Sequence, residues 1–167
     1  MSLIGRLRRA LSPRGDRVGS PDIETAITLH EQGRLAEAEA IYRRALERDP
    51  NHAQALHLLG LAAHQRDANE TAVELITRAV SIDPSNGLQH FNLGNALRAL
   101  DRREAAAAAY ARAVALDPRR FAAWFNLGQL RSEMDRADEA VTAFRQALAI
   151  DPASDAARVG LATALLS

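Results

Sequence analysis

The groups whose types and spacing could do chemistry are five histidines, a set of side-chain amides and the scattered acids. His57 and His64 stand seven residues apart, two helical turns or about 10 Å, too far for both to ligate one ion directly. His30 and His64 occupy matching places one repeat apart in a pattern that runs along the chain. These histidines read as solvated or groove-lining, and no metal site is expected. The Asp and Glu residues fall at turns, helix starts and exposed faces, where capping and solvation account for them. No serine has a nucleophile-elbow context, no glycine-rich phosphate loop follows a strand, and no strand is expected. The chain has no Cys, and its 21 basic residues are all Arg. Thiol nucleophiles, Cys-ligated zinc, Schiff-base lysine and the P-loop lysine are therefore excluded. The expectation is a chain with no catalysis and no cofactor. Arg and Ala in place of Lys point to a bacterial source.

The remaining polar chemistry is amide chemistry. Asn92 and Asn126 are separated by the same interval as His30 and His64, and so are Asn95 and Gln129. An amide carries both donor and acceptor, so a ladder of them can pair with an extended peptide backbone whatever its side chains.

That spacing belongs to the whole chain. Asp-Pro recurs at Asp49-Pro50, Asp83-Pro84, Asp117-Pro118 and Asp151-Pro152, always at this one interval. Proline lacks an amide donor and drives the preceding residue out of the helical region, so each pair ends a helix. Within a repeat, a first helix of about twelve residues turns near Gly33, Asp67, Asp101 or Asp135, at types that tolerate left-handed backbone. Small residues form two columns, Ala38/Ala72/Ala106/Ala140 and Ala45/Ala79/Ala113/Ala147. Tyr42, Ile76, Tyr110 and Phe144 form a bulky one. Leu59, Leu93 and Leu127 are each followed by a glycine. Glycine costs about 1 kcal/mol in a helix relative to Ala, so its recurrence argues for a close helix crossing, with the bulky column filling the space between neighbours. The units run 19–52, 53–86, 87–120 and 121–154, and stacking supplies the core that no unit has alone.

These columns resemble the tetratricopeptide repeat family, which shares the 34-residue period and the small, aromatic and proline positions. The text FNLGNALRAL is similar to the repeats of O-linked N-acetylglucosamine transferases and of bacterial repeat regions fused to transferase domains. The resemblance implies an all-α, right-handed α-solenoid whose first helices line a concave face that receives a peptide or partner protein. By the same resemblance that face comprises His57, Leu61, His64 and Gln65, then Phe91, Asn92, Asn95 and Arg98, then Phe125, Asn126, Gln129, Ser132 and Glu133. Phe91 and Phe125 read either as groove anchors or as packing between helices; Trp124 reads as packing. The first repeat departs from the pattern, with Thr25-Ala26 where the others have Leu-Gly.

The ends are less regular. Residues 1–18 form a basic segment expected to be flexible, with five Arg and one Asp within residues 1–20. Leu3, Ile4, Leu7 and Leu11 share one side of a short amphipathic pattern that would suit an anionic membrane. Ser12-Pro13 and Gly15 break it, which favours a frayed terminus over membrane contact through residues 1–11. Ser20 reads as an N-cap before Pro21. The remaining chain carries 16 Arg against 20 acids, a poor surface for a nucleic acid. No apolar run approaches the roughly 20 residues of a membrane span, and a cytoplasmic location is expected. Residues 155–167 read as a capping helix or the start of a fifth repeat. Its apolar Leu161, Leu165 and Leu166 suit either a homodimer contact or a piece of a longer protein. The expected function is a non-catalytic scaffold; the alternative is the substrate-recruiting region of a larger glycosyltransferase or other transferase.

Overall fold

The structure is a computed structural model and describes residues 21–167. The amphipathic pattern over Leu3–Leu11 and the Ser20 cap lie outside the described residues. Every secondary element among the described residues is a helix: α1 (Pro21–Glu31), α2 (Leu35–Arg48), α3 (Ala53–Gln65), α4 (Asn69–Ile82), α5 (Gly87–Ala99), α6 (Arg103–Leu116), α7 (Phe121–Glu133), α8 (Ala137–Ile150) and α9 (Asp155–Leu166). The starts of α3, α5, α7 and α9 are evenly spaced at the repeat interval, and so are those of α2, α4, α6 and α8.

Two local devices repeat with this period. The first ends each odd-numbered helix of a pair. Gly33, Asp67, Asp101 and Asp135 are the described residues with positive φ, between 54° and 77°. Around Asp101 its own N–H donates to the Arg98 carbonyl at 2.9 Å, and the Arg102 N–H donates to the Leu97 carbonyl at 3.0 Å. This paired closure satisfies carbonyls that the helix end leaves open, and it recurs at the other three turns. The second device is the Asp-Pro pair: α2, α4, α6 and α8 end one residue before Asp49, Asp83, Asp117 and Asp151. The carboxylates of Asp49, Asp117 and Asp151 then accept the N–H two residues on, at 3.1–3.3 Å, which fixes the turn.

The chain forms two compact blocks, the first ending at Pro84 and the second running from Ser85 to Ser167. In the first, α1 packs on α2, α2 on α3 and α3 on α4. In the second, α5 packs on α6, α6 on α7, α7 on α8 and α8 on α9.

The glycine and bulky columns meet each other directly. A Cβ on Gly94 would stand 2.6 Å from two ring carbons of Tyr110, and one on Gly60 the same distance from Ile76 Cγ1. Phe144 lies under Gly128 and also under Gly160 of α9, where a Cβ would approach its ring to 2.6 Å. The bulky residue therefore sits in the gap the glycine leaves within its own helix pair, and in the last pair it is closed over from the next helix as well. Tyr42, Ile76, Tyr110 and Phe144 are all buried, as are the Ala38 and Ala79 columns except at Ala45, which is half-buried. Ala26 takes the glycine's place in the first repeat and is fully buried.

Candidate partner-binding face

The face expected to meet a partner is built on α3 in the first block and on α5 and α7 in the second. The structure divides the expected residues into a buried set and an accessible set.

In the first block, His57 and Leu61 are inside, at 0% and 1% exposure. A partner cannot reach either of them. His64 is half-buried, and its Nδ1–H donates to Asn69 Oδ1 at 2.5 Å across to the start of α4. Gln65 is exposed and accepts from His30 Nε2 at 2.9 Å. His30 Nδ1 in turn lies 3.4 Å from the Tyr42 hydroxyl, a pattern that suits a neutral imidazole with its proton on Nε2. Burial lowers the His30 pKa from its ordinary value, while the bond to Gln65 and the nearby Glu39 and Glu31 oppose that shift. Beyond this face, Glu39 is buried and held by two guanidinium groups, Arg43 at 2.9 Å and Arg66 at 3.1 Å.

In the second block, Phe91 and Asn92 are buried, Phe91 beside Tyr110 with ring centroids 5.9 Å apart. The Arg120 guanidinium stands 6.0 Å above the Phe91 ring. Phe125 is half-buried, stacked on Phe121 and edge-on to Phe144, so it packs between helices while keeping part of its ring accessible. Trp124 is half-buried with its indole N–H on the Pro118 carbonyl at 3.0 Å.

The amides and charges of α5 and α7 are brought together. The Tyr110 O–H donates to Asn95 Oδ1 at 2.8 Å, and Asn126 Nδ2 donates to the same oxygen at 3.2 Å. Arg98 donates to Gln129 Oε1 at 3.3 Å and pairs with Glu133. Burial raises the Tyr110 pKa, so its hydroxyl keeps the proton that it donates. The ladder foreseen between protein and peptide thus first links one helix to the next. In these bonds Asn95 uses only its carbonyl oxygen, Gln129 only its carbonyl oxygen and Asn126 only its amino group, so each amide retains hydrogen-bonding capacity. Asn95, Arg98, Asn126 and Gln129 are all half-buried, reachable yet held in place. Neither the Tyr110 hydroxyl nor the Arg98–Glu133 pair was foreseen as a partner of the ladder; both join residues more than a dozen positions apart.

At the end of the second block, Leu161 is half-buried and packs against the Ala140–Phe144–Ala164 cluster. Val159, Leu165 and Leu166 are 66%, 58% and 89% exposed. The apolar surface of α9 is therefore Val159, Leu165 and Leu166, with Leu161 largely withdrawn from it. It borders an open groove of about 690 Å³ where the start of α8 and the end of α9 meet, lined in part by Asp138, Val141 and Arg145. No three His, Asp or Glu side chains group as metal ligands among the described residues.

A family model described as Tetratricopeptide repeat matches residues 24–87 and 91–155. No curated protein matches the chain. Among solved structures, a crystal structure of MamA is 26% identical with a TM-score of 0.79, covering 84% of this chain and 82% of that one. YrrB, described as a TPR protein with an unusual peptide-binding site, is 23% identical with a TM-score of 0.81, covering 99% of this chain and 83% of its own. MamA from Desulfovibrio magneticus RS-1, from residue 41 to its end, is 22% identical with a TM-score of 0.72, covering 81% and 76%. The all-α solenoid fold expected from the repeat period is the fold of these neighbours.

Proposed function

The chain belongs to the tetratricopeptide repeat family, and we propose that it is a non-catalytic scaffold holding an extended peptide, or an extended segment of a partner protein, on its first-helix faces. The observation that carries this reading is the row formed by Asn95, Arg98, Asn126 and Gln129 on α5 and α7. Its amides and guanidinium are fixed by Tyr110, Glu133 and one another. Side chains already ordered lose little freedom on meeting a ligand, so their remaining donors and acceptors can serve a peptide backbone at small entropic cost. Phe125, part-exposed beside the row, offers an apolar contact next to it. YrrB shares the fold and has a peptide-binding site, which supports the class of ligand. His64 and Gln65 would serve the corresponding face of the first block; His57, Leu61, Phe91 and Asn92 act from inside by shaping it.

The test pairs Arg98→Ala with Gln129→Ala in the full chain. Both side chains are half-buried, and the Arg98–Glu133 pair is of a kind worth about 1 kcal/mol or less, so the melting temperature should barely move. Peptides captured by the native chain should bind the double variant at least roughly tenfold more weakly, about 1.4 kcal/mol. Equal binding would remove the face from the account.

A cytoplasmic, bacterial protein is the setting we infer from the Cys-free, Arg- and Ala-rich composition. The exposed Val159, Leu165 and Leu166 favour a second contact, a homodimer through α9. Light scattering should then show a dimer that Leu165→Glu dissociates; a monomer at high concentration would refute it. Recruitment of substrates to a transferase domain draws on the text FNLGNALRAL.

A further inference from the structure

The histidines are unevenly placed. His30, His52, His57 and His64 lie in the first block and His90 in the second. Two of the four occupy columns that hold no histidine at the matching places in the second block. The first column is the N-cap of an odd-numbered helix. His52 caps α3 by accepting the Ala55 N–H on Nδ1 at 3.3 Å. Asn86 caps α5 through its side-chain oxygen and Ser154 caps α9 through its hydroxyl, while Arg120 at the start of α7 makes no side-chain cap bond. An imidazole can cap only while Nδ1 is unprotonated. A proton there removes the acceptor and sets a cation at the positive end of the helix.

The second column lies one turn inside the helix. It is His57 in α3, and Phe91 and Phe125 in α5 and α7. His57 is fully buried, and burial alone pushes its pKa down to about 4. Unfolded, the same imidazole titrates near 6.5. The unfolded form therefore binds the proton that the folded form refuses, and stability present above about pH 6.5 is lost as the pH falls toward 4. The other two histidines of the block sit in bonds as well, His30 between Tyr42 and Gln65 and His64 on Asn69.

Glu31 and Glu39 act on His30, and Glu39 is itself held by Arg43 and Arg66. Asp49 accepts the His52 N–H through its backbone carbonyl, and its carboxylate is engaged by the Asn51 N–H. No charge enters the causes of the His57 shift.

We propose that the first block is an acid-sensitive module: mild acid opens α3 and the helices packed on it while the second block stays folded. The opening rests on the two histidine columns alone. Its consequence, release of a ligand from the first block's face, rests on the scaffold reading above.

The experiment is amide hydrogen exchange on the full chain without ligand, at about pH 7.5 and about pH 5, corrected for intrinsic exchange. The His57 linkage alone multiplies the opening constant roughly 30-fold between those conditions. Protection in α3 and α4 should fall by at least tenfold on this account, with α5 to α8 changing by less than about twofold. His52→Asn with His57→Phe, the residues of the second block's own columns, should hold protection at the lower pH. Should the double variant fold poorly, His57→Phe alone should recover most of the protection. Parallel loss of protection in both blocks, or a His57→Phe chain that opens as the native one does, would overturn the proposal. Because no ligand is present, this outcome is independent of whether the scaffold reading holds.

Discussion

The two blocks are built on one backbone plan and filled with different chemistry. Both close their odd-numbered helices with left-handed residues, and both drop a bulky side chain onto a helical glycine. In the first block the cap of α3 and His57 and His64 within that helix are imidazoles, and the glycine faces a flexible isoleucine. In the second they carry amides, a guanidinium and phenyl rings, and the glycine faces a tyrosine whose hydroxyl is tied to Asn95. The period thus dictates geometry, while the choice of residue within a column decides whether a block senses pH or presents a row of fixed donors and acceptors.

Substitutions at the glycines should break this comparison most strongly. Gly94→Leu drives a side chain into the Tyr110 ring, and overpacking of this kind costs typically 1–3 kcal/mol; about 3 kcal/mol is expected here because the ring is rigid and its hydroxyl is bound. Gly60→Leu meets Ile76, which can change rotamer, and should cost less; thermal melts of the two variants side by side give the difference. An unchanged melt for Gly94→Leu would remove the packing assignment. Next in size are the caps: Asn86→Ala should cost about 1 kcal/mol at every pH, since it leaves the Leu88 N–H without its acceptor while the Gln89 N–H keeps only the Asn86 backbone carbonyl. His52→Ala should cost a similar amount at neutral pH, since it removes the acceptor of the Ala55 N–H. An unchanged melt for either cap variant would remove the capping assignment. The turns should show effects no larger than those of the caps. Asp101→Gly should stabilise by a few tenths to about 1 kcal/mol by relieving left-handed strain, and Gly33→Ala should cost about 1 kcal/mol for the same reason. Urea melts at constant m-value would resolve both signs.

Much of the fold was legible because its determinants are local. The Asp-Pro stops and the Gly33/Asp67/Asp101/Asp135 turns act through the backbone of one or two residues, so residue type alone marks them. The meeting of glycine and bulky columns was half visible: the gap could be read from Gly94, but that Tyr110 itself fills it depends on helix crossing. The face was legible only as a set of columns. Asn92 and Asn126 occupy the same column, yet Asn92 is 2% exposed and Asn126 is half-buried. Burial depends on the volume of neighbours, which spacing does not encode. Likewise Tyr110, assigned to packing by its column, also donates a hydrogen bond into the amide row through the end of its side chain. Leu161 fits an interface by composition and turns inward because its helix position faces Phe144.

The central claim is that the fixed polar row on α5 and α7 binds an extended backbone. The most direct measurement is selection of unstructured peptides on the full chain, followed by calorimetric titration of the selected peptides into the native chain and into Arg98→Ala/Gln129→Ala. The account predicts binding that weakens at least roughly tenfold in the double variant while the melting temperature holds. Peptides that bind both chains equally well, or a native chain that selects none, would contradict it.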